Sequence, residues 1–315
     1  MQSVSTSISQ LARAKKARSA ARVRPERWVT IILFLLPAAI LYSVLVIYPV
    51  IQAAHHGFYK WNGLGPLTNF VGLDNYVRIV NDDIFQQAVW HNLVFIGLSL
   101  VTQLPLALFC ALLVGRGLRG RAFFRMVYFL PFVLSEVVTG LIWSFIYHPR
   151  AGLLNWLLSL VFPTWDPPSW LGTPNFLVLV SIFVVINWKY FGYHMILYVA
   201  GLQNIPPEIE EAAQIDGASG LQVIRHIILP LLAPTIRLTI YFAVLGSIQL
   251  FDLVWVMTQG GPANASNTMA TYMYQFGFIR TQLGYGSSIA VIMFVSCFGF
   301  SLIYQRWVMR RDFGE

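Results

Sequence analysis

Residues 205–234 read IPPEIEEAAQIDGASGLQVIRHIILPLLAP, a polar stretch that separates two long apolar runs. Pro206 and Pro207 suit the start of a helix, because its first turn does not need their missing N–H groups. The helix dipole stabilises the glutamates of that turn, which are Glu208, Glu210 and Glu211. Gly217 suits the helix end, since glycine readily adopts a positive φ. A second short helix over 221–228 leads into the next apolar run, so the stretch predicts a helix–turn–helix between two apolar segments.

The apolar runs on both sides of this stretch belong to a larger set. Each is long enough for a bilayer-spanning helix, which needs about 20 residues. The chain of 315 residues is 57% hydrophobic and 11% charged, with a mean hydropathy of +0.64, whereas soluble proteins carry about 25% charged residues. The first run is too long for the apolar core of a signal peptide. We therefore predict an all-α membrane protein with six transmembrane helices, at 28–50, 92–114, 123–147, 176–202, 229–257 and 287–309.

The net charge of +8 is concentrated in short segments beside the apolar runs, which argues against nucleic-acid binding. Residues 1–27 carry seven lysines and arginines, and residues 116–125 carry four arginines. Basic segments stay on the cytoplasmic side of a membrane, and six spans place all of them on one side. We expect a multi-pass protein of the cell membrane with cytoplasmic N and C termini. Segment 1–27 would precede a transmembrane domain, 28–315, with its core at 88–309 and a cytoplasmic loop at 205–230.

One face of the predicted loop helix carries mostly small side chains. Ile209, Ala212, Ala213 and Asp216 share this face by helical spacing. Small side chains allow the backbone of another protein to approach closely. The helix could dock a partner or could simply join two spans, and the residues alone favour neither interpretation.

The same loop carries a motif at fixed spacing. It resembles the cytoplasmic loop signature of binding-protein-dependent ABC importer permeases, in which EAA is followed by DGA and later by I-x-LP. The matching residues are Glu211, Ala212, Ala213, Asp216, Gly217, Ala218, Ile227, Leu229, Pro230 and Pro234. The resemblance implies a coupling helix that docks into a cleft of a cytoplasmic ATPase. It assigns the ATPase-coupling role to Glu211, Ala212, Ala213, Asp216 and Gly217.

Other segments resemble the sugar branch of that family, the maltose and glycerol-phosphate type. They are FVGLDNY (70–76), LRGRAFFRMVYFLPFVL (118–134), AGLQNIPPE (200–208), FDLVWVMTQGGPANAS (251–266) and LGYGSSIAV (283–291). The resemblance implies a type I importer permease fold with one extra N-terminal helix. It implies that the chain forms half of the translocation pathway of an ATP-driven sugar importer. The expected partners are a second permease subunit, two ATP-binding subunits and an extracytoplasmic sugar-binding protein.

The sequence also limits the chemistry expected of the chain. It contains no G-x-x-x-x-G-K-[ST] motif and so no phosphate loop for ATP. We therefore expect no enzymatic activity and no bound cofactor, with ATP hydrolysed by the partner ATPase subunits. The spacing of histidines and cysteines predicts no metal site, and Cys110 and Cys297 lie in apolar runs where they suit the core. An ion-gradient-driven secondary transporter and an ABC permease for amino acids or phosphate remain as alternatives.

Polar groups in a span are costly, so the polar side chains within the fourth and fifth apolar runs are candidates for a functional site. Together with the aromatic side chains beside them, they predict a sugar site. Asn187, Tyr190 and Tyr193 offer hydrogen bonds and aromatic faces. The resemblance to the maltose permease adds further candidates at Ala243, Ser247 and Leu250, and includes both tyrosines. The alternative is helix–helix hydrogen bonding, which contributes about 0.6–2 kcal/mol per bond.

Charged residues inside the predicted spans need partners. Lys189 lies near the middle of its run, whereas Asp252 lies near the outer end of the fifth, an offset of roughly 10 Å at 1.5 Å per residue. We therefore expect a water-filled cavity or a partner subunit to accommodate Lys189. Glu136 stands alone in the predicted third span.

Overall fold

A computed structural model describes residues 25–115 and 120–309, and all the regular elements in these ranges are helices. Most of the predicted basic segment 1–27, and the arginines at positions 116, 119, 310 and 311, lie outside the described residues. The expected sidedness of the termini therefore stays a prediction. The chain divides into two compact units, Met1–Ala53 and Ala54–Glu315.

The first unit contains most of helix α1, which consists of Pro25–Tyr42, a π-helical turn at Ser43–Ile47, and Tyr48–His56. Its apolar part, Thr30–His56, is 27 residues long. At 1.5 Å per residue this length exceeds the thickness of the hydrocarbon core, about 30 Å.

The second unit contains the remaining helices. They are α2 (Asp74–Val80), α3 (Asp83–Gly115), α4 (Arg121–Val133), α5 (Glu136–Ile146), α6 (Leu153–Val161), α7 (Phe176–Gln203), α8 (Pro207–Ile215), α9 (Gly220–Ile248), α10 (Asp252–Thr258), α11 (Met269–Tyr274) and α12 (Leu283–Trp307). Within the described ranges, α1, α3, α7, α9 and α12 are each long and apolar enough to cross a membrane. Helices α4 and α5 are bent by 95° relative to each other and pass the same test only as a pair, which makes six spans when the pair is counted as one. The described helices thus agree with the six predicted spans when this bent pair is taken as the third one.

Three spans pass a proline without a break, and each has a π-helical turn just before it. The turns Ser43–Ile47, Ser99–Gln103 and Ile224–Ile228 each end two residues before a proline. Proline removes one backbone hydrogen bond and its ring clashes with the preceding turn. A wider turn accommodates that ring, which explains why α1, α3 and α9 stay continuous.

Helix α7 lies at the centre of the second unit, with half of its apolar window buried. It packs against α3 and α4. A Cβ added to Gly192 would lie 1.8 Å from the carbonyl oxygen of Tyr128, so only glycine permits the observed approach of α4 to α7. The side chains of Val178, Ile182 and Val185 are fully buried in an apolar cluster on the same helix.

Two spans are interrupted. The third breaks at 134–135, between α4 and α5, where Leu134 has an extended backbone. The fifth begins earlier than predicted, at Gly220, and ends at Ile248. The prediction of one helix over 229–257 is therefore wrong, because residues 249–251 separate α9 from α10.

Candidate functional site

A cavity of about 420 Å³ lies between the two helix breaks. Its wall is formed by α3, α7 and α9, together with Glu136 at the start of α5 and residues 249–252 at the second break. Non-helical backbone at membrane depth is tolerated where it is buried in protein or lines a cavity. The cavity is therefore a place within the membrane-spanning bundle where a polar solute can fit.

The cavity wall includes five of the six predicted substrate-binding residues. They are Tyr190, Tyr193, Ala243, Ser247 and Leu250. The sixth, Asn187, is not part of the lining, and its Oδ1 atom is buried without a hydrogen-bond partner among the described residues. The structure thus brings two tyrosines of α7, two residues of the α9 end and Leu250 of the second break to one space.

Aromatic rings and hydrogen-bonding groups both line this space. Phe132 and Tyr193 stack with ring centroids 4.8 Å apart, and the ring centroids of Phe242 and Tyr193 are 6.3 Å apart. Gln103 and Gln249 contribute amides to the lining. Flat apolar rings beside amide and carboxylate groups can hold a small molecule that carries hydroxyl groups on an apolar ring.

Side chains of α7 form hydrogen bonds with backbone and side-chain groups at the first break. The Lys189 ammonium donates to the carbonyl oxygens of Leu134 and, at 3.4 Å, of Phe132. The neighbouring Tyr190 hydroxyl donates to Glu136 Oε1. The expectation that Lys189 needs a water-filled cavity or another subunit is therefore wrong, because the carbonyls freed by the break accept its protons. Glu136 likewise does not stand alone.

The second break is satisfied by residues that the sequence did not single out. Asn92 Nδ2 donates to the Ser247 carbonyl at 2.6 Å, and its Oδ1 accepts from the Met269 amide at 2.9 Å. The Thr268 hydroxyl donates to the Leu250 carbonyl at 2.7 Å. Asn92 and Thr268 are buried. Their polarity beside an apolar run was the one available signal.

The predicted loop helix and its glycine stop are confirmed. Helix α8 ends with Gly217 at φ +85°. The amide of Ala218 donates to Ala213 O at 2.9 Å and that of Gly217 to Gln214 O at 3.1 Å. These two bonds form a Schellman motif, which satisfies the last carbonyls of a helix and favours glycine at its left-handed position.

The loop exposes most of its predicted coupling residues. Glu211, Ala212, Asp216 and Gly217 are exposed, whereas Ala213 is half-buried against the apolar cluster of α3 and α7. Two large apolar side chains lie next to them: Ile215 is 86% exposed and Leu221 is 75% exposed. The sequence interpretation missed both, although apolar residues on a polar loop were visible. Large exposed apolar side chains beside a polar loop favour a surface that another protein covers.

Comparison with known proteins relates the chain to a family of membrane transport proteins. The family model described as "binding-protein-dependent transport system inner membrane component" matches residues 103–311. A probable ABC transporter permease protein of Pyrococcus horikoshii is 37% identical, over 88% of this chain and 94% of its own. The multiple sugar-binding transport system permease protein of Streptococcus mutans is 34% identical, over 83% of this chain and 89% of its own.

A solved structure shares the fold. One chain of a bacterial alginate ABC transporter, in complex with an alginate pentasaccharide-bound periplasmic protein, superposes with a TM-score of 0.79 at 22% identity. The match covers 90% of this chain and 96% of that chain. It supports the helical architecture described above.

Proposed function

The chain belongs to the family of binding-protein-dependent transport system inner membrane components, and from that membership we propose that it forms half of the translocation pathway of an ATP-driven sugar importer. The observation that carries the sugar assignment is the cavity between the two helix breaks. It combines stacked aromatic rings with amide, hydroxyl and carboxylate groups. A relative from Streptococcus mutans carries the name of a multiple sugar-binding system and one from Streptomyces coelicolor that of a diacetylchitobiose uptake system.

The sugar would lie against Tyr190 and Tyr193 on one side and against Ala243, Ser247 and Leu250 on the other. The Ser247 hydroxyl donates to Ala243 O at 2.8 Å, so its oxygen can still accept a bond from a sugar hydroxyl. The side chain of Ala243 leaves room in the wall. Asn187 is not part of the cavity lining and has no place in this proposed contact set.

The exposed loop would couple transport to ATP. Glu211, Ala212, Ala213, Asp216 and Gly217 form the proposed docking segment, and Ile215 and Leu221 add apolar side chains to it. Burial of these two side chains in a cleft of an ATPase would remove apolar surface from water. The ATPase subunits, and not this chain, would hydrolyse ATP, since the sequence has no phosphate loop.

The complete transporter would contain a second permease subunit, two ATP-binding subunits and an extracytoplasmic sugar-binding protein. This chain would provide one side of the translocation pathway, and a second permease would close the pathway opposite to it. ATP binding would bring the docking loops together and turn the cavity outward. Hydrolysis would return it to the cytoplasmic side and release the sugar.

Co-purification tests the assembly. The tagged chain is isolated in mild detergent and its partners are identified by mass spectrometry. We expect a second six-span permease and an ATPase with a phosphate loop. Isolation of the chain alone, in a form that still transports, would contradict the proposal and favour an ion-driven carrier.

Transport tests the sugar assignment. The purified complex is placed in proteoliposomes with its binding protein, and uptake of labelled maltose, raffinose and N,N′-diacetylchitobiose is measured with internal ATP. We expect Ser247→Leu to abolish ATP-dependent uptake of the accepted sugar. The matched control is Ser296→Leu on α12, whose side chain is exposed and does not line the cavity. Equal uptake by both variants would place the sugar elsewhere.

A further inference from the structure

The break between α4 and α5 leaves backbone groups that need partners inside the membrane. A helix end has carbonyl groups without intrahelical partners, and lipid offers no hydrogen-bond donor to them. At this break Leu134 has an extended backbone, and α5 starts again at Glu136 after a bend of 95°. The bend therefore persists only where side chains or water supply the missing bonds.

Lys189 supplies those bonds from the neighbouring helix. Its ammonium donates to the carbonyls of Leu134 and Phe132 and is only 3% exposed as a residue. The end of α4 carries the negative pole of its helix dipole, which favours a cation. The start of α5 carries the positive pole, where the Glu136 carboxylate lies. Lys189 and Glu136 thus carry opposite charges at the two helix ends that meet at the break.

Tyr190 joins this charge pair to the cavity. It follows Lys189 in the chain and donates its hydroxyl to Glu136. Glu136 and Tyr190 line the cavity, whereas Lys189 is not part of the lining formed by the described residues. The ammonium thus bonds to the bend on the side away from the cavity lining. The positions of Glu136 and Tyr190 depend on the bend and on the hydrogen bond between them.

We propose that Lys189 is a positioning residue: it clamps the break in the third span and so holds Glu136 and Tyr190 in the geometry that receives the transported molecule. The role of the cavity in transport rests on the proposed function above, whereas the clamp itself does not. Loss of the ammonium leaves the carbonyls of Leu134 and Phe132 without this donor. The bend then relaxes, and Glu136 and Tyr190 leave their positions.

The clamp is tested by a distance measurement across the break. Spin labels are attached at cysteines introduced at Met126 in α4 and Phe145 in α5, both exposed side chains, in a variant with the two native cysteines replaced by serine. Double electron–electron resonance is recorded on the whole purified transporter in nanodiscs. We expect one narrow distance peak, which Lys189→Met broadens or shifts and Lys189→Arg retains.

The transport consequence is tested in proteoliposomes. The probe is whichever of maltose, trehalose and N,N′-diacetylchitobiose most stimulates ATP hydrolysis by the unmodified complex. We expect Lys189→Met and Tyr190→Phe to raise the KM for the sugar about tenfold, which is the order expected for loss of a hydrogen bond to a charged group. The kcat of sugar-stimulated ATP hydrolysis should be much less affected. The matched control Tyr241→Phe removes a hydroxyl that bonds Ser301 outside the cavity, and its KM should stay unchanged.

Each outcome decides the proposal. A distance peak and KM in Lys189→Met that both equal those of the parent overturn it, as does equal loss of function in Lys189→Arg. If Lys189→Met does not assemble, Lys189→Gln, whose shorter side chain brings no cation to the break, is measured in the same two assays, and parent-like values there overturn the proposal as well. If none of the three sugars is transported, the sugar assignment fails, but the distance peak still decides whether Lys189 holds the bend.

Discussion

Substitution of Ile215 by alanine should weaken the attachment of the ATPase to this subunit. The change deletes three carbon atoms, and each buried methylene contributes about 0.8 kcal/mol. The side chain is 86% exposed in the chain, so most of that surface is available for burial by a partner. The expected loss is therefore about 2 kcal/mol, or roughly 30-fold in the dissociation constant of the loop–ATPase contact.

The dissociation constant is measured by titration of the labelled ATPase onto the permease pair in nanodiscs. Leu221→Ala should have a slightly smaller effect, because that side chain is 75% exposed. The matched control is Ile303→Ala on α12, an isoleucine that is 63% exposed on a membrane-spanning helix. An affinity for Ile215→Ala that equals the affinity for Ile303→Ala would refute the docking of the loop.

Two further substitutions test the packing that holds the site. Gly192→Ala should lower the thermal unfolding temperature, because the new Cβ would lie 1.8 Å from a backbone oxygen of α4. Such overpacking costs about 1–3 kcal/mol of stability. The control is Gly299→Ala, which has open space around its Cβ and should not lower the unfolding temperature. Asn92→Leu should destabilise the protein by about 2–6 kcal/mol, because it leaves one buried amide and one buried carbonyl without partners at about 1–3 kcal/mol each. The control Asn62→Leu, in an exposed loop, should change the unfolding temperature little. Equal melting curves for these two variants would show that the second break does not depend on Asn92.

The features that the sequence predicted well depend on local information. A run of about 20 apolar residues defines a span without reference to the rest of the chain. The loop helix α8 and its stop at Gly217 follow from helix caps and from the positive φ that glycine allows. The tyrosines at 190 and 193 were found because polar groups in a span stand out against their surroundings.

The helix breaks depend on distant residues and were missed for that reason. Residues 249–251 contain neither glycine nor proline, and the carbonyl of Ser247 is satisfied by Asn92, 155 positions away. At the first break, Lys189 is 55 positions from Leu134. Prolines do not identify the breaks either, since the spans that contain Pro105 and Pro230 stay helical through a π turn.

Helix α9 connects the two parts of the proposed mechanism. It runs without interruption over 29 residues from Gly220, next to the exposed loop, to Ile248 at the cavity, a length of about 43 Å at 1.5 Å per residue. A displacement of the loop would therefore reach Ser247 through one rigid element. The break after Ile248 matters here, because α10 packs closely on α5, where Gly140 leaves no room for a Cβ beside Val256. A helix continuous to 257 would pull α5 along with α9, whereas the observed break would let one cavity wall move against the wall that we propose Lys189 holds.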